Sequence, residues 1–381
     1  METTQEERTA LLETVRRFVE TEVAPLVGDC DRQERIPRSL LEQTAELGVF
    51  GGTVPEEWGG AGMDVLTYAR VIEEIARVDH ALACLVSMPS ALVGGGILAM
   101  GSDAQKQQWL VPLARGEIFG AAGVTEPQSG SNVAGMETTY RRDGDDFVIQ
   151  GAKTWISNLD HASFFVTFAT RDRTLKHRGI SAFITPADTP GLSVHPFKNK
   201  LGFRALVSGE VVLDEVRVGP GALIGEEGQG FRVAMTQVER GRLGVATRAV
   251  GLAQLCLEDS IAYANERVVF DQPIAEFQLT QRKIAMMATE IEAARGLVRR
   301  CAEALQRGER ARMEASMAKM YASDVAQRVA TDAVQIHGAY GASDEYRVGR
   351  AYRDAKIFQI VEGTNDIHQT LIAQYQLGLR T

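Results

Sequence analysis

Four β-branched and aromatic runs crowd between residues 147 and 218: FVIQG (147–151), FFVTFAT (164–170), ISAFITP (180–186) and EVVLDEVRV (210–218). They stand too close together for helices to fit between them, which excludes a doubly wound nucleotide fold. Gly, Pro, Asp and Asn clusters separate the runs, so the stretch is expected to form an antiparallel β-domain. Either side reads as helix. Leu11, Leu12, Val15, Phe18 and Val19 recur at helical spacing, and Ile72, Ile75 and Ala76 follow the same rule. Past the Gly-rich connector VGPGALIGEEGQG (218–230), Leu243, Ala246, Val250 and Ala253 form a core-facing stripe. Ile284, Met287, Ile291, Ala294 and Val298 form another. The expected fold is α+β in three parts: helical domain 1–120, middle β-domain 121–227 and carboxy-terminal helical bundle 228–381. A chain of 381 residues is long enough to need such a division.

Charge and composition narrow the function classes. A net charge of -9 argues against a nucleic-acid surface. No stretch reaches the roughly 20 apolar residues of a membrane span. The amino terminus METTQEERTALLETVRRFVE is charged and amphipathic, with no signal-peptide core. Cys30, Cys84, Cys256 and Cys301 are too scattered for a zinc or redox pair. These features predict a cytoplasmic protein with reduced core thiols and no structural metal.

Two segments at the helical–β junction carry candidate chemistry. VTEPQSGSN (124–132) offers backbone N–H groups and hydroxyls to a flat polar ligand; by itself it also reads as a capped turn. GAKTWISN (151–158) is a strand bearing one of three tryptophans, followed by Ser157 and Asn158. A strand tryptophan is more often core than platform. Together the segments resemble the acyl-CoA dehydrogenase family, and the resemblance spans nearly the whole chain. VPEEWGG (54–60) is similar to the family's amino-terminal PExxGG element. KLGFRALVSGEVVLDEVRV (200–218) is similar to the stretch closing its β-domain, with Leu206 where a serine is usual and Ser208 for the commoner threonine.

The resemblance implies FAD as cofactor. Val124, Thr125, Gly130 and Ser131 would wrap the flavin, with Ser131 also reaching the thioester. Trp155 would flank the ring, Ile156 would be a further flavin contact, and Ser157 would bond near flavin N5. ERGR (239–242) resembles an acidic-x-x-Arg signature, assigning Glu239 and Arg242 to the CoA part of the substrate; alone it reads as a solvated helix pair. RVVF (267–270) resembles an Arg-x-x-Phe element, so Arg267 would meet the FAD pyrophosphate in bidentate fashion, beside Phe270 and Gln278. Asp271 replaces the usual Gly there. QIHGAYG (335–341) resembles the segment that reaches the FAD of a neighbouring subunit, through Gln335 and Gly338. A homodimer or homotetramer follows, and an electron-transferring flavoprotein as oxidant.

IFQIVEGTND (357–366) holds the candidate base. Glu362 follows Ile360 and Val361 and precedes Gly363, an apolar setting that should raise its pKa and strengthen it as a base. By itself the position also reads as a helix-start carboxylate favoured by the macrodipole. The family uses this Glu for the α-proton of an acyl thioester and flavin N5 for the β-hydride, with Gly363 at the substrate and Thr364 and Asn365 at the FAD. Some members carry the base on the ERGR helix instead, at the position of Gly241, which has no side chain.

The substrate is less constrained. VDHALACLVSMPSALVGGGILAMG (78–101) resembles the helix lining the acyl pocket, most like the glutaryl-CoA branch. Ala83 stands where that branch has a carboxylate-binding arginine, which disfavours a dicarboxylyl group. Gly94, Gly95 and Gly96 either open room for a bulky chain or permit close helix packing. A carrier-protein-bound thioester is the alternative to acyl-CoA. A flavin oxidase or monooxygenase, or a flavin-free binding protein, would be a more distant use of the fold.

Overall fold

The computed structural model describes residues 5–91 and 93–380. Its first part comprises α1 (Gln5–Phe18), α2 (Val27–Gln33), α3 (Arg38–Glu46), α4 (Val65–Ala76) and α5 (His80–Ser87), then α6 (Gly94–Met100), α7 (Asp103–Gln105) and α8 (Val111–Ala114). Aspartates set two of these starts: Asp64 caps α4 through Thr67 N–H, and Asp79 caps α5 through Ala81 and Leu82 N–H.

The middle part contains β1 (Phe119–Gly123), β2 (Thr139–Asp143), β3 (Asp146–Ser157) and β4 (Ala162–Thr170), followed by β5 (Ile180–Pro186), β6 (Leu192–Pro196), β7 (Ser208–Val218) and β8 (Leu223–Ile224). They form one sheet in the order β6-β7-β3-β2-β4-β5-β8, with β1 against β4. The sheet is mixed rather than wholly antiparallel. β1 runs parallel to β4, and β2 meets β4 in parallel at Thr139 and Thr170. The reason is topological: the 124–138 loop and the β2–β3 hairpin intervene before the chain returns beside β1. Such a connection is long enough to restore the original direction.

The last part is built on α9 (Gly230–Glu266), the two-residue strands β9 (Val268–Val269) and β10 (Gln272–Pro273), α10 (Gln278–Gln306), α11 (Arg312–His337), α12 (Arg347–Phe358) and α13 (Asn365–Gln376). The helical stripes face inward as their spacing requires: Leu243, Ala246, Val250, Ala253, Met287, Ile291, Ala294 and Val298 are all buried. They join Val15, Ile72, Ile75 and Leu82 of the first part in one continuous core; the sheet has a core of its own on one face, and on the other Phe164, Val166, Phe168 and Ile180 pack with Ile97, Leu113 and Val233 of the helices. Each fully buried Val, Leu or Ile contributes about 1.5–3 kcal/mol, so the two helical parts are fused by far more than a surface contact.

The three glycines at the start of α6 pack closely and leave no space of their own. A Cβ at Gly94 would lie 2.1 Å from the Pro89 carbonyl, at Gly95 1.9 Å from Gln237 Oε1 and at Gly96 2.9 Å from Val233 Cγ1. The room given up at Gly95 and Gly96 is filled by α9, and that at Gly94 by Pro89 and Leu110. The loop before β7 docks on α12, where Phe203 N–H donates to Asp354 Oδ1 at 2.7 Å and its ring meets Phe358 at 5.0 Å. That contact sets the β-domain beside the turn that follows α12.

Candidate active site

Glu362 lies in the turn between α12 and α13, with φ of 55°, in the left-handed region, followed by Gly363 at 95°. A non-glycine residue held there costs of order 1–3 kcal/mol, so the surroundings must fix it. Two buried side chains do. Lys319 of α11 donates to the Gly363 carbonyl at 2.6 Å and to Asn365 Oδ1 at 3.0 Å. His368 Nε2 meets the Glu362 carbonyl at 3.2 Å. Burial pushes His368 down to about 3, so its ring is neutral and the proton on Nε2 makes that bond. Lys319 is pushed down to about 7 by the same cause.

The Glu362 carboxylate makes no hydrogen bond and no salt bridge among the described residues; it lies over the α9 backbone at Gly241. A Cβ at Gly241 would sit 3.0 Å from Glu362 Cδ and Oε2 and 3.1 Å from Oε1. The two positions expected to be alternative sites for the base therefore face each other. Burial raises the Glu362 pKa, opposed by the charges of Arg242, Arg248 and Lys319.

The turn's other residues are engaged elsewhere. Thr364 caps α13 through Ile367 N–H, and Asn365 Nδ2 donates to Ser323 Oγ at 2.9 Å and Asp324 Oδ1 at 2.8 Å. Their side chains therefore brace α13 and α11, leaving the backbone to face a ligand. Glu239 and Arg242 do not pair with each other. Glu239 accepts from Ala311 N–H at 3.1 Å and pairs with Arg312 at 3.4 Å, whereas Arg242 Nη1 donates to Ser316 Oγ at 3.2 Å. Arg242 Nε is buried without a partner.

The β-domain carries the other two motif segments. The 124–132 segment closes a turn by paired Glu126–Ser129 backbone bonds of 3.0 and 3.1 Å, and Thr125 accepts from Thr154 N–H at 2.9 Å. This ties the two motifs side by side. Beneath them Glu126 and Lys153 form a buried ion pair of 2.6 Å. At the next residue the β3–β7 register breaks, and Trp155, with φ of 57°, turns outward with 62% of its surface exposed, 4.9 Å from the Phe197 ring. A bulge aims a side chain in this way. Ser157 Oγ lies 3.1 Å from Ser208 Oγ. Gly130 and Ser131 are exposed, and Val124 is half-buried. The Ile156 side chain points into the sheet core, which leaves its backbone as the part that can meet a ligand.

Arg267, Phe270, Gln278, Gln335 and Gly338 are exposed, away from Glu362. Arg267 lies 6.0 Å from the Tyr340 ring, which joins the two segments, and Phe270 is 85% exposed. Arg267 follows the end of α9, about 39 Å of helix beyond Gly241.

A flavin dinucleotide fits these groups. An unshielded tryptophan face and the hydroxyls of Thr125 and Ser157 suit a flavin ring, the buried Asn158 Oδ1 is left without a hydrogen-bond partner, and an exposed arginine suits a pyrophosphate. Sequence reasoning missed Glu126, Lys153, Lys319 and His368. Lys319 alone left a trace: it falls in register with buried Ala315, Ala318, Ala322 and Ala326, where a lysine needs a polar partner. No metal-binding cluster exists among the described residues. Nor is any described helix long and apolar enough to cross a membrane.

Three family models match: acyl-CoA dehydrogenase N-terminal domain at residues 5–117, middle domain at 121–216 and C-terminal domain at 228–377. An acyl-CoA dehydrogenase of Bacillus subtilis is 39% identical over 98% of both chains. A chain from the electron transferring flavoprotein study of Acidaminococcus fermentans superposes with a TM-score of 0.96 at 37% identity, covering 98% of this chain and 99% of that one. A glutaryl-CoA dehydrogenase of Mycobacterium smegmatis in complex with FADH2 gives 0.93 at 32% identity, covering 99% and 95%. The chain belongs to the acyl-CoA dehydrogenase family.

Proposed function

We propose that Glu362 is the base of an FAD-dependent α,β-dehydrogenation of an acyl-CoA thioester. The observation that carries this is its carboxylate: desolvated, without a partner, and lying over Gly241, where no side chain competes for the space. FAD, when bound, supplies the acceptor for the β-hydride. The chain does the rest. Burial raises the basicity of Glu362 towards what a weakly acidic α-proton demands. The charges of Arg242, Arg248 and Lys319 favour its ionised form and oppose that rise. The Glu362 N–H has no acceptor among the described residues and is free to meet the thioester carbonyl, where charge develops.

Thr125, Ser131, Ser157, the Trp155 ring and the backbone of Val124, Gly130 and Ile156 hold the flavin, with Thr364 and Asn365 beside it. Ser131 and Gly363 border the thioester, and Glu239 and Arg242 serve the CoA part of the substrate. Arg267, Phe270, Gln278, Gln335 and Gly338 serve the flavin of a second copy, because about 39 Å of α9 separates them from the reaction site. The enzyme is accordingly a homodimer or homotetramer, divided near residues 120 and 227, acting in the cytoplasm with an electron-transferring flavoprotein as oxidant. The test is Glu362→Gln. The variant should stay folded and yellow yet lose thioester-dependent flavin bleaching by about 10²–10⁴-fold. Bleaching at an undiminished rate sinks the assignment.

A further inference from the structure

Gly241, Gly244 and Arg248 are spaced by three and four along α9 and share one helix face. Arg248 is 5% exposed. Its Nε donates to the Gly244 carbonyl at 3.3 Å, so the side chain folds back toward Gly241, as helical side chains do. The Cys84 thiol of α5 is close enough to feel its charge, and the Phe358 ring is 5.8 Å away. Nη1, however, is buried with no hydrogen-bond partner, and Arg248 forms no salt bridge among the described residues. Space adjoins it. A Cβ at Gly244 would meet no atom within 4 Å, and Gly244 borders a cavity of about 40 Å³ with Ser87, Ser90, Thr247 and Arg240.

A buried guanidinium with an unmet donor is costly unless something arrives to pair with it. We propose that Arg248 binds a carboxylate at the far end of the acyl chain, so that the substrate is the monothioester of a short dicarboxylic acid. The proposal rests on the dehydrogenation reading above and names its substrate class. By its bond to Gly244, the guanidinium stands about one helical turn, ~5 Å, along α9 from the Glu362 carboxylate over Gly241. That span suits a carboxylate roughly three or four bonds beyond the α-carbon, as in a glutaryl group. The lack of an arginine at Ala83 therefore does not leave the pocket uncharged; the facing helix supplies the cation.

The test compares glutaryl-CoA with pentanoyl-CoA, which has a methyl in place of the carboxylate, by anaerobic bleaching of the FAD-loaded enzyme. The wild type should favour glutaryl-CoA in kcat/KM by about tenfold or more. R248M should lower the glutaryl-to-pentanoyl ratio by on the order of a hundredfold, and R248K should recover part of it. Equilibrium binding to E362Q enzyme, which does not turn over, should show the same preference in Kd, lost in the E362Q/R248M double variant. Two results overturn the proposal: a wild-type preference for pentanoyl-CoA, or equal losses on both thioesters in R248M with a displaced pH profile. The latter would make Arg248 a mere counter-charge to Glu362. If neither thioester bleaches the wild-type flavin, the dehydrogenation reading fails and takes this one with it.

Discussion

Glu126 and Glu362 are both turn glutamates within the motif segments, and the fold treats them in opposite ways. Glu126 is fully provided for: Lys153 at 2.6 Å, Thr138 N–H at 3.0 Å and Glu137 N–H all meet its carboxylate. Its pKa is held below the usual glutamate range, although burial alone would raise it. Glu362 has three cations in its neighbourhood and a hydrogen bond from none of them, and its pKa is raised. The first arrangement makes a carboxylate inert and structural. The second keeps one desolvated and ready to accept a proton. Burial of charge thus does not distinguish a catalytic glutamate; the state of its hydrogen bonds does.

Breaking the satisfied pair should have the largest effect. Burial pushes Lys153 down to about 8, but the short contact with Glu126 keeps the pair ionised at neutral pH. Lys153→Met strands a buried carboxylate, so it should cost about 3–5 kcal/mol in denaturant unfolding. Adding Glu126→Gln should recover most of that loss, because the amide oxygen still accepts from the backbone while the orphan charge is gone. A single variant as stable as wild type would show that the pair contributes nothing.

The contrast extends to pH. The depressed pKa of Glu126 stabilises the fold above its unfolded pKa, and that contribution is lost as pH falls through the folded value. For Glu362, with a raised pKa, the sign reverses: its contribution is present below the unfolded value and lost as pH rises through the folded one. Kinetically Glu362 must be ionised to act. The acid limb of kcat/KM should therefore bend above the ordinary glutamate value of about 4.3 and drop about tenfold per pH unit below the bend. An acid limb at or below that value would put the base in a solvated environment.

The sequence made one of these glutamates visible and hid the other. Glu362 announced itself by its apolar neighbours and its motif. The helical stripes and the crowded strands followed from periodicity and turn chemistry, whereas Trp155, which a strand pattern alone would place in the core, was marked as a platform only by the family resemblance. Glu126 and Lys153 are 27 positions apart, and no local pattern marks two charged residues as partners. The parallel strand pairs escaped for a similar reason: strand direction depends on what the long 124–138 loop does in space. Arg248 reads in sequence as one more helix-face arginine. Its unmet donor exists only once α5 and α12 have packed around it.

The smallest predicted effect concerns the surface on which Glu362 rests. Gly241→Ala adds a methyl about 3.0 Å from the Glu362 carboxyl, tighter than an ordinary contact, so the carboxyl must move by tenths of an ångström. Alanine also favours the helix by about 1 kcal/mol, which offsets the crowding and should leave the melting temperature nearly unchanged. Activity should respond where stability does not, because sub-ångström displacement of a reacting group costs up to about tenfold in rate. Gly296→Ala in α10 is the matched control. It is exposed, with no atom near the added methyl, and should gain the same helix propensity with normal turnover. Equal activity in the two variants would mean that the Glu362 carboxylate does not rest on Gly241 when it works.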